Sequence, residues 1–300
     1  MEQIEFKKPD LEDQKLMSSY FKKYPSRSCD RTFANVYLWA RYYGVEFAFV
    51  DEVILFRSQA EGVCSFAYPV GPPDKVKAVL DRLMANCDKA GTKFKLYSIT
   101  KEQFAQIEEW YPGKFQIEYN EDIADYVYET EKLTTLAGKK LHGKRNHINK
   151  FKATYENWKY EPITEENYEE CFQMALKWRH EHEMEEDEDM INELAVTQNS
   201  LRLMKELGLR GGLLRIDDDI VAFTIGEPVN DDTFVVHIEK AFPEIQGAYP
   251  MINQQFVTNA CQDFQYINRE EDTGAPGLRK AKQSYRPVFM VEKGSVTFKE

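Results

Sequence analysis

Three consecutive acids, Glu270, Glu271 and Asp272, close a short apolar stretch at 264–267, and Gly274-Ala-Pro-Gly277 turns the chain straight into Arg279, Lys280, Lys282 and Arg286. Carboxylates at this density can accept protons, and the cations behind them can neutralise phosphate or polarise a carbonyl oxygen. A strand end followed by a tight turn is where a sheet presents such groups at its mouth. The same charges would serve equally as the salt bridges of a solvated loop. A second stretch is basic: Lys132, Lys139, Lys140, Lys144, Arg145, Lys150 and Lys152, with His142 and His147, run without an intervening acid. It reads either as a contact for phosphates or as a solvated amphipathic helix.

Other clusters carry less. His180, Glu181 and His182 precede Glu183, Glu185, Glu186, Asp187, Glu188 and Asp189. These could offer oxygens to a hard cation but lack the spacing and glycine of a calcium loop, so a solvated loop between helices is the better reading. Phe33, Val36, Tyr37, Trp39, Tyr42 and Tyr43 form an aromatic-rich helix, read as core, with a stacking platform for an adenosine as the alternative. The five cysteines are scattered without a Cys-x-x-Cys pair, so neither a disulfide framework nor a metal site is implied.

Periodicity supplies the elements that must position these groups. In the first half, helices are predicted at 10–23 and 32–42, strands at 45–50, 53–57 and 63–68, a helix from 74 to 89, a strand at 94–98, a helix at 101–110, and strands at 115–119 and 125–129. The second half repeats the order: helices at 165–182 and 187–207, strands at 212–216, 220–228 and 233–240, a helix at 249–262, a strand at 264–267, a short helix at 278–285 and a strand at 288–293. The expectation is an α+β protein of two similar domains, 1–130 and 158–300, joined by a basic helical linker, 131–157. In that linker Leu133, Leu136, Leu141, Ile148 and Phe151 share one broad face with Lys140 and Lys144, while Lys139, Asn146 and Lys150 lie opposite; Gly138 and Gly143 permit a break.

Three hundred residues, 42% apolar and 13% aromatic, suffice for two cores. A formal net charge of -12 excludes general nucleic-acid binding and leaves polyanions to a local basic patch. The N-terminus has no apolar segment of a secretory signal, and no run approaches the ~20 apolar residues that span a bilayer. A reduced cytoplasm is the expected location.

The order of elements in each half resembles the GNAT acyltransferase fold, and two such halves in tandem resemble the Fem-type peptidoglycan aminoacyltransferases. Three stretches, Leu136-Ala-Gly-Lys-Lys-Leu-His-Gly-Lys-Arg-Asn-His-Ile-Asn-Lys-Phe151, His237-Ile-Glu-Lys-Ala241 with 247–256, and Asn268-Arg-Glu-Glu-Asp-Thr-Gly-Ala-Pro-Gly-Leu-Arg-Lys-Ala-Lys282, are similar to the C-terminal synthase domain of phosphatidylglycerol lysyltransferases and its soluble relatives. The resemblance implies two tandem GNAT-like domains, each a mixed, mainly antiparallel sheet flanked by helices. It also implies transfer of an aminoacyl group from charged tRNA to an amine or hydroxyl of a small molecule, lipid headgroup or peptide. The chain departs from the lysyltransferases in lacking a membrane-spanning portion. It departs from acetyl-CoA enzymes at Glu244-Ile-Gln-Gly-Ala-Tyr-Pro-Met251, where a pyrophosphate loop would need free amides and Pro250 has none. An acyl-CoA-dependent N-acyltransferase is the second reading and a non-catalytic module of the same fold the third.

GNAT-like sheets react in the gap where the fourth and fifth strands splay, and here those strands end at 237–240 and 267–270. The resemblance therefore makes Glu239 and Glu270 candidate bases, with Glu271 and Asp272 next. Lys240, Asn268, Arg269, Arg279, Lys280 and Lys282 become candidates for phosphate or carbonyl contact, with Tyr285 and Arg286 closing the pocket. Lys139, Lys140, Lys144, Arg145 and His147 of the basic segment are expected on the donor. His237, alternating with Val235 and Glu239, is read as a core or rim residue.

Overall fold

A computed structural model describes residues 4–60, 63–181 and 188–299; His182, Glu183, Glu185, Glu186 and Asp187 of the acidic cluster lie outside them. The first half places α1 (Gln14–Lys23) and α2 (Phe33–Trp39) before a meander of β1 (Val45–Val50), β2 (Val53–Ala60) and β3 (Val63–Phe66). Then come α3 (Pro73–Ala90), β4 (Phe94–Thr100), α4 (Lys101–Trp110), β5 (Phe115–Tyr119) and β6 (Asp125–Glu129). The basic segment is α5 (Thr130–Thr135), a 3-10 turn at Lys139–Leu141 and α6 (His142–Thr154). The second half follows as β7 (Trp158–Pro162), α7 (Tyr168–Glu181), α8 (Glu188–Arg202), α9 (Met204–Leu207), β8 (Arg210–Ile216), β9 (Asp219–Pro228), β10 (Thr233–Ala241), α10 (Ala248–Ala260), β11 (Tyr266–Asn268), α11 (Pro276–Gln283), β12 (Phe289–Val291) and β13 (Lys293–Phe298).

Among the described residues these make two mixed, mainly antiparallel sheets flanked by helices, of the class expected. Their orders are β1-β2-β3-β4-β13-β5 and β12-β6-β11-β10-β9-β8-β7. Each sheet inserts a strand from the other half: β6 joins the second sheet between β11 and β12, and β13 joins the first between β4 and β5. The boundary expected near 130 therefore does not separate the sheets. The strand expected at 288–293 is two strands, one in each sheet, broken at Glu292. β7 was not foreseen, because Trp158-Lys-Tyr-Glu-Pro162 is half polar and ends in proline, the composition of an edge strand.

The basic segment breaks at Gly138 and not at Gly143, which lies inside α6. Leu136 and Gly138 take left-handed backbone (φ 49° and 93°), ending α5. The apolar face forms as expected: Leu133, Leu136, Leu141, Ile148 and Phe151 are all buried in the larger core. Lys144 is on that side, but Lys140 is exposed, because it belongs to the 3-10 turn and not to the α-helical phase.

Candidate functional site

β10 and β11 run parallel and pair over only three residues, Thr233–Tyr266, Phe234–Ile267 and Val235–Asn268. Past that point β10 continues to Ala241 beside β9, while the chain after Asn268 parts from β10 and stays bonded to Tyr126 of β6 through Arg269 and Glu270. Two charged contacts span the gap: His237 Nδ1 to Glu270 Oε1 at 2.7 Å, and Arg269 Nη2 to Glu239 Oε1 at 2.7 Å.

The contacts lie on opposite faces, and a β-bulge is the reason. Strict alternation would put Val235, His237 and Glu239 together. The register slips between Val236 and Ile238, and the extra residue reverses the pleat beyond it. His237 stays on the Val235 side, where its Nε2 lies 3.0 Å from Glu227 Oε1. Glu239 turns to α10, where Asn253 Nδ2 donates to its Oε2 at 3.0 Å; Phe234 meets Phe256 on that same side.

On the His237 face, burial alone would lower the imidazole pKa, but the hydrogen bonds to Glu227 and Glu270 and their charges prevail and raise it to about 10. His237 is thus a buried cation clamped between two carboxylates, in keeping with the core or rim residue expected. Glu270 stands at φ 56°, unusual for a residue with a side chain. Asn268 Oδ1 accepts its N–H at 2.7 Å, and its carbonyl accepts from Tyr126. Backbone strain of this kind costs on the order of 1 kcal/mol and needs such anchors to persist.

Behind Glu270 lies a buried cluster assembled from four separate segments. Lys293, 2% exposed at the start of β13, places Nζ 2.7 Å from Asp125 Oδ1 and 3.8 Å from Glu271 Oε2. Asp125 also accepts from the Cys29 N–H and from Asn268 Nδ2, both at 2.9 Å. Burial would raise Asp125, but Lys293 and these donors hold it below its usual value. Burial pushes Glu271 up to about 7 against the pull of Lys293. Donor atoms of Cys29, Asp125 and Glu271 lie within 4.8 Å of one another, close enough for a metal ion; the Lys293 ammonium is the cation among them.

The remaining candidates divide clearly. Asp272 accepts from Arg279 twice at 2.8 Å, from Tyr126 at 2.6 Å and from Gly274 N–H at 2.9 Å, and these hydrogen bonds, Arg279 foremost, hold it at about 2. It and Arg279 pin the turn. Lys282 is buried and gives Nζ to the carbonyls of Arg269 (2.6 Å) and Glu271, bracing the strained loop. Lys240 is buried with Glu193 at 2.8 Å and the Trp178 ring at 4.1 Å. Arg145 turns inward to the carbonyls of Leu136 and Gly138. Tyr285 is buried edge-on to Tyr128 and receives Lys144 on its ring. Lys139, Lys140, His147, Lys280 and Arg286 are exposed and away from these networks.

At the start of α10, Ala248 and Met251 donate to the carbonyls of Ile245 and Gly247, and Pro250 has no N–H. Helix α6 lies against this end so tightly that a Cβ on Gly247 would sit 2.4 Å from the His147 carbonyl oxygen. On the His237 face, a cleft of about 960 Å3 between α1, the start of α4, the β9–β10 turn and β12 reaches Glu227.

Sequence reasoning missed Glu227, Asp125, Lys293 and Asn253. The available signal was a charge at the first position of a strand, as Asp125 in β6 and Lys293 in β13; their pairing across 168 residues had none.

A model of the family described as phosphatidylglycerol lysyltransferase, C-terminal, matches residues 21–293. A conserved protein of unknown function from Bacteroides thetaiotaomicron is 38% identical, with 99% of this chain and 100% of that one covered and a TM-score of 0.93. L-PGS from Bacillus licheniformis superposes with a TM-score of 0.65 at 15% identity, covering 97% of this chain and 92% of that one. FemX superposes with a TM-score of 0.57 at 8% identity, covering 98% and 96%. The last two likenesses are of fold alone.

Proposed function

Because the chain belongs to the phosphatidylglycerol lysyltransferase C-terminal family, whose members and fold relatives mark it as a Fem-like acyltransferase domain, we propose that it transfers an aminoacyl group from charged tRNA to an amine or hydroxyl acceptor in the gap between β10 and β11. The observation that carries this reading is the gap itself: two strands that part after three residues and are bridged by charged side chains, with α6 packed against the start of α10 beside them.

The ester of a charged tRNA is already activated, so the site has to align the acceptor and take its proton. Glu270 suits this role. Its strained backbone aims the carboxylate into the gap, the His237 imidazolium fixes one oxygen, and its side chain keeps 22% of its exposure. Glu239 has both oxygens engaged and serves to orient Arg269. The acceptor attacks the ester carbonyl carbon, its proton passes to Glu270, and the ester C–O bond breaks to release the tRNA hydroxyl, which takes up a proton. Exposed Lys139, Lys140, His147 and Lys150, with no acid among them, support a polyanionic donor on an otherwise acidic protein.

Labelled aminoacyl-tRNA titrated into the protein at low and moderate salt, with excess acetyl-CoA as competitor, tests the donor. The expected result is binding that weakens steeply with salt and is not displaced by acetyl-CoA. Glu270→Gln should then leave tRNA affinity unchanged and slow transfer by about 100-fold or more. Binding that acetyl-CoA displaces, or an absence of tRNA binding, would overturn the reading.

A further inference from the structure

The cleft of about 960 Å3 beside Glu227 is large enough for a small molecule, and its charges are unevenly spent. Arg27 pairs with Asp232, and Lys101 with Glu292. Glu227 holds His237 Nε2 at 3.0 Å. Of the charges left in the lining, Lys22, Glu102 and Asp231 are exposed and met by water, whereas Arg31 is half-buried. No ion pair of Arg31 is found among the described residues, and its side chain gives one hydrogen bond there, from Nη2 to the Tyr68 carbonyl at 3.0 Å. Asp30, its neighbour in the chain, turns instead to Lys293 at 3.3 Å and accepts from the Ser28 hydroxyl at 3.0 Å. Burial brings the Arg31 guanidinium down to about 10, against the opposing pull of Asp30, Tyr68 and Tyr97. A guanidinium taken this far out of water is normally held by an acid.

The backbone presents Arg31 firmly. It closes a 3-10 turn, with its N–H given to the Ser28 carbonyl at 3.1 Å, and Thr32 directly after it caps α2 by accepting the Asn35 N–H at 3.3 Å. Around it Phe21 of α1, Phe33 of α2, Val229 of the β9–β10 turn and Met290 of β12 supply apolar walls.

We propose that this cleft binds a small organic acid, with one carboxylate held by Arg31 and an apolar body against Phe21, Phe33 and Val229. A carboxylate accepts from two nitrogens of a guanidinium in one plane, and Nη2 has a second hydrogen to give beside Nε or Nη1. Five acids against four cations line the cleft, so a monoanion suits it better than a dianion. The site goes beyond the transferase reading and does not depend on it.

Titration calorimetry of the full chain with phenylacetate at pH 7.5 tests the assignment, with phenylacetamide and phenyl phosphate as comparisons. Phenylacetate should bind at one site. Phenylacetamide, the same body without the charge, should bind at least about tenfold more weakly. Phenyl phosphate, a dianion at this pH, should also bind more weakly than phenylacetate, because the acids of the lining repel its second charge. Arg31→Gln should weaken phenylacetate binding by about tenfold or more, and Arg31→Lys, which keeps the charge but loses the planar fork, by a smaller factor. Thermal melts of the variants separate lost binding from lost folding, and the comparison of phenylacetate with phenylacetamide on the wild-type chain needs no variant. Four results would each overturn the site: no binding of phenylacetate at millimolar concentration, equal affinity for phenylacetamide, tighter binding of phenyl phosphate, or wild-type affinity in a folded Arg31→Gln protein. None of these measurements requires turnover, so they stand whether or not the chain transfers an aminoacyl group.

Discussion

Glu271 shows how one residue's chemistry is set by its company. Its carboxyl lies between Cys29, Lys293 and a strained loop, and burial raises it to about 7. A folded-state value above the unfolded one means that the protonated form favours the fold. That contribution is complete below about pH 4.3, the unfolded value, and is lost as pH rises through 7. Glu271→Gln keeps the shape and removes the charge, so it should stabilise the protein by on the order of 1–2 kcal/mol at pH 8 and by nothing measurable at pH 4. Thermal melts at the two pH values check this; a variant less stable than wild type at pH 8 would show that the Lys293 contact outweighs burial. At this scale the sequence drew attention to Glu270, Glu271 and Asp272, because three consecutive carboxylates at a strand end are conspicuous, and to Glu239 through the family resemblance. It did not separate them, since a base, an orienting group and a buried acid differ only in their neighbours.

Among elements, the contact of α6 with α10 is the tightest test of how the basic segment is seated. Gly247 holds φ 88° and lies against the His147 carbonyl and the Phe151 side chain. Gly247→Ala adds a Cβ in a backbone conformation that side chains avoid and drives it into α6, so α6 must move or the turn must distort. A loss of about 2–4 kcal/mol is expected, read from urea unfolding, together with faster hydrogen exchange in α6. Unchanged exchange in α6 would mean that α6 is held elsewhere. Most element spans were legible from periodicity: α4, β1, β5 and β6 fall where alternation and capping place them, Thr100 and Gln103 forming the capping box of α4. The bulge at His237 was not legible, because an apolar-polar alternation reads the same whether or not the partner strand slips by one residue.

Across the whole molecule the two sheets are interlocked by exchanged strands, with Lys293 and Asp125 paired where β13 and β6 begin. Neither half can complete its sheet alone. Fragments 1–157 and 158–300 expressed separately should show no cooperative melt, and co-expressed they should copurify as one folded species. A fragment that melts cooperatively alone would contradict this interlock. No helix among the described residues is long and apolar enough to cross a membrane.

The expectation of a site at the ends of β10 and β11 came from the family resemblance, while from the sequence alone came the α+β class, the repeated order of elements and the apolar face of the basic segment. These are local: periodicity of two or 3.6, turn chemistry and charge runs are written within a dozen residues. The tertiary structure alone decided which sheet each terminal strand joins, which face of the gap each carboxylate occupies, and which cations are already spent on internal partners. Those depend on contacts between residues far apart, such as Asp125 with Lys293 and Lys144 with Tyr285, and burial and pairing, not residue type, determine whether a charge is free to act.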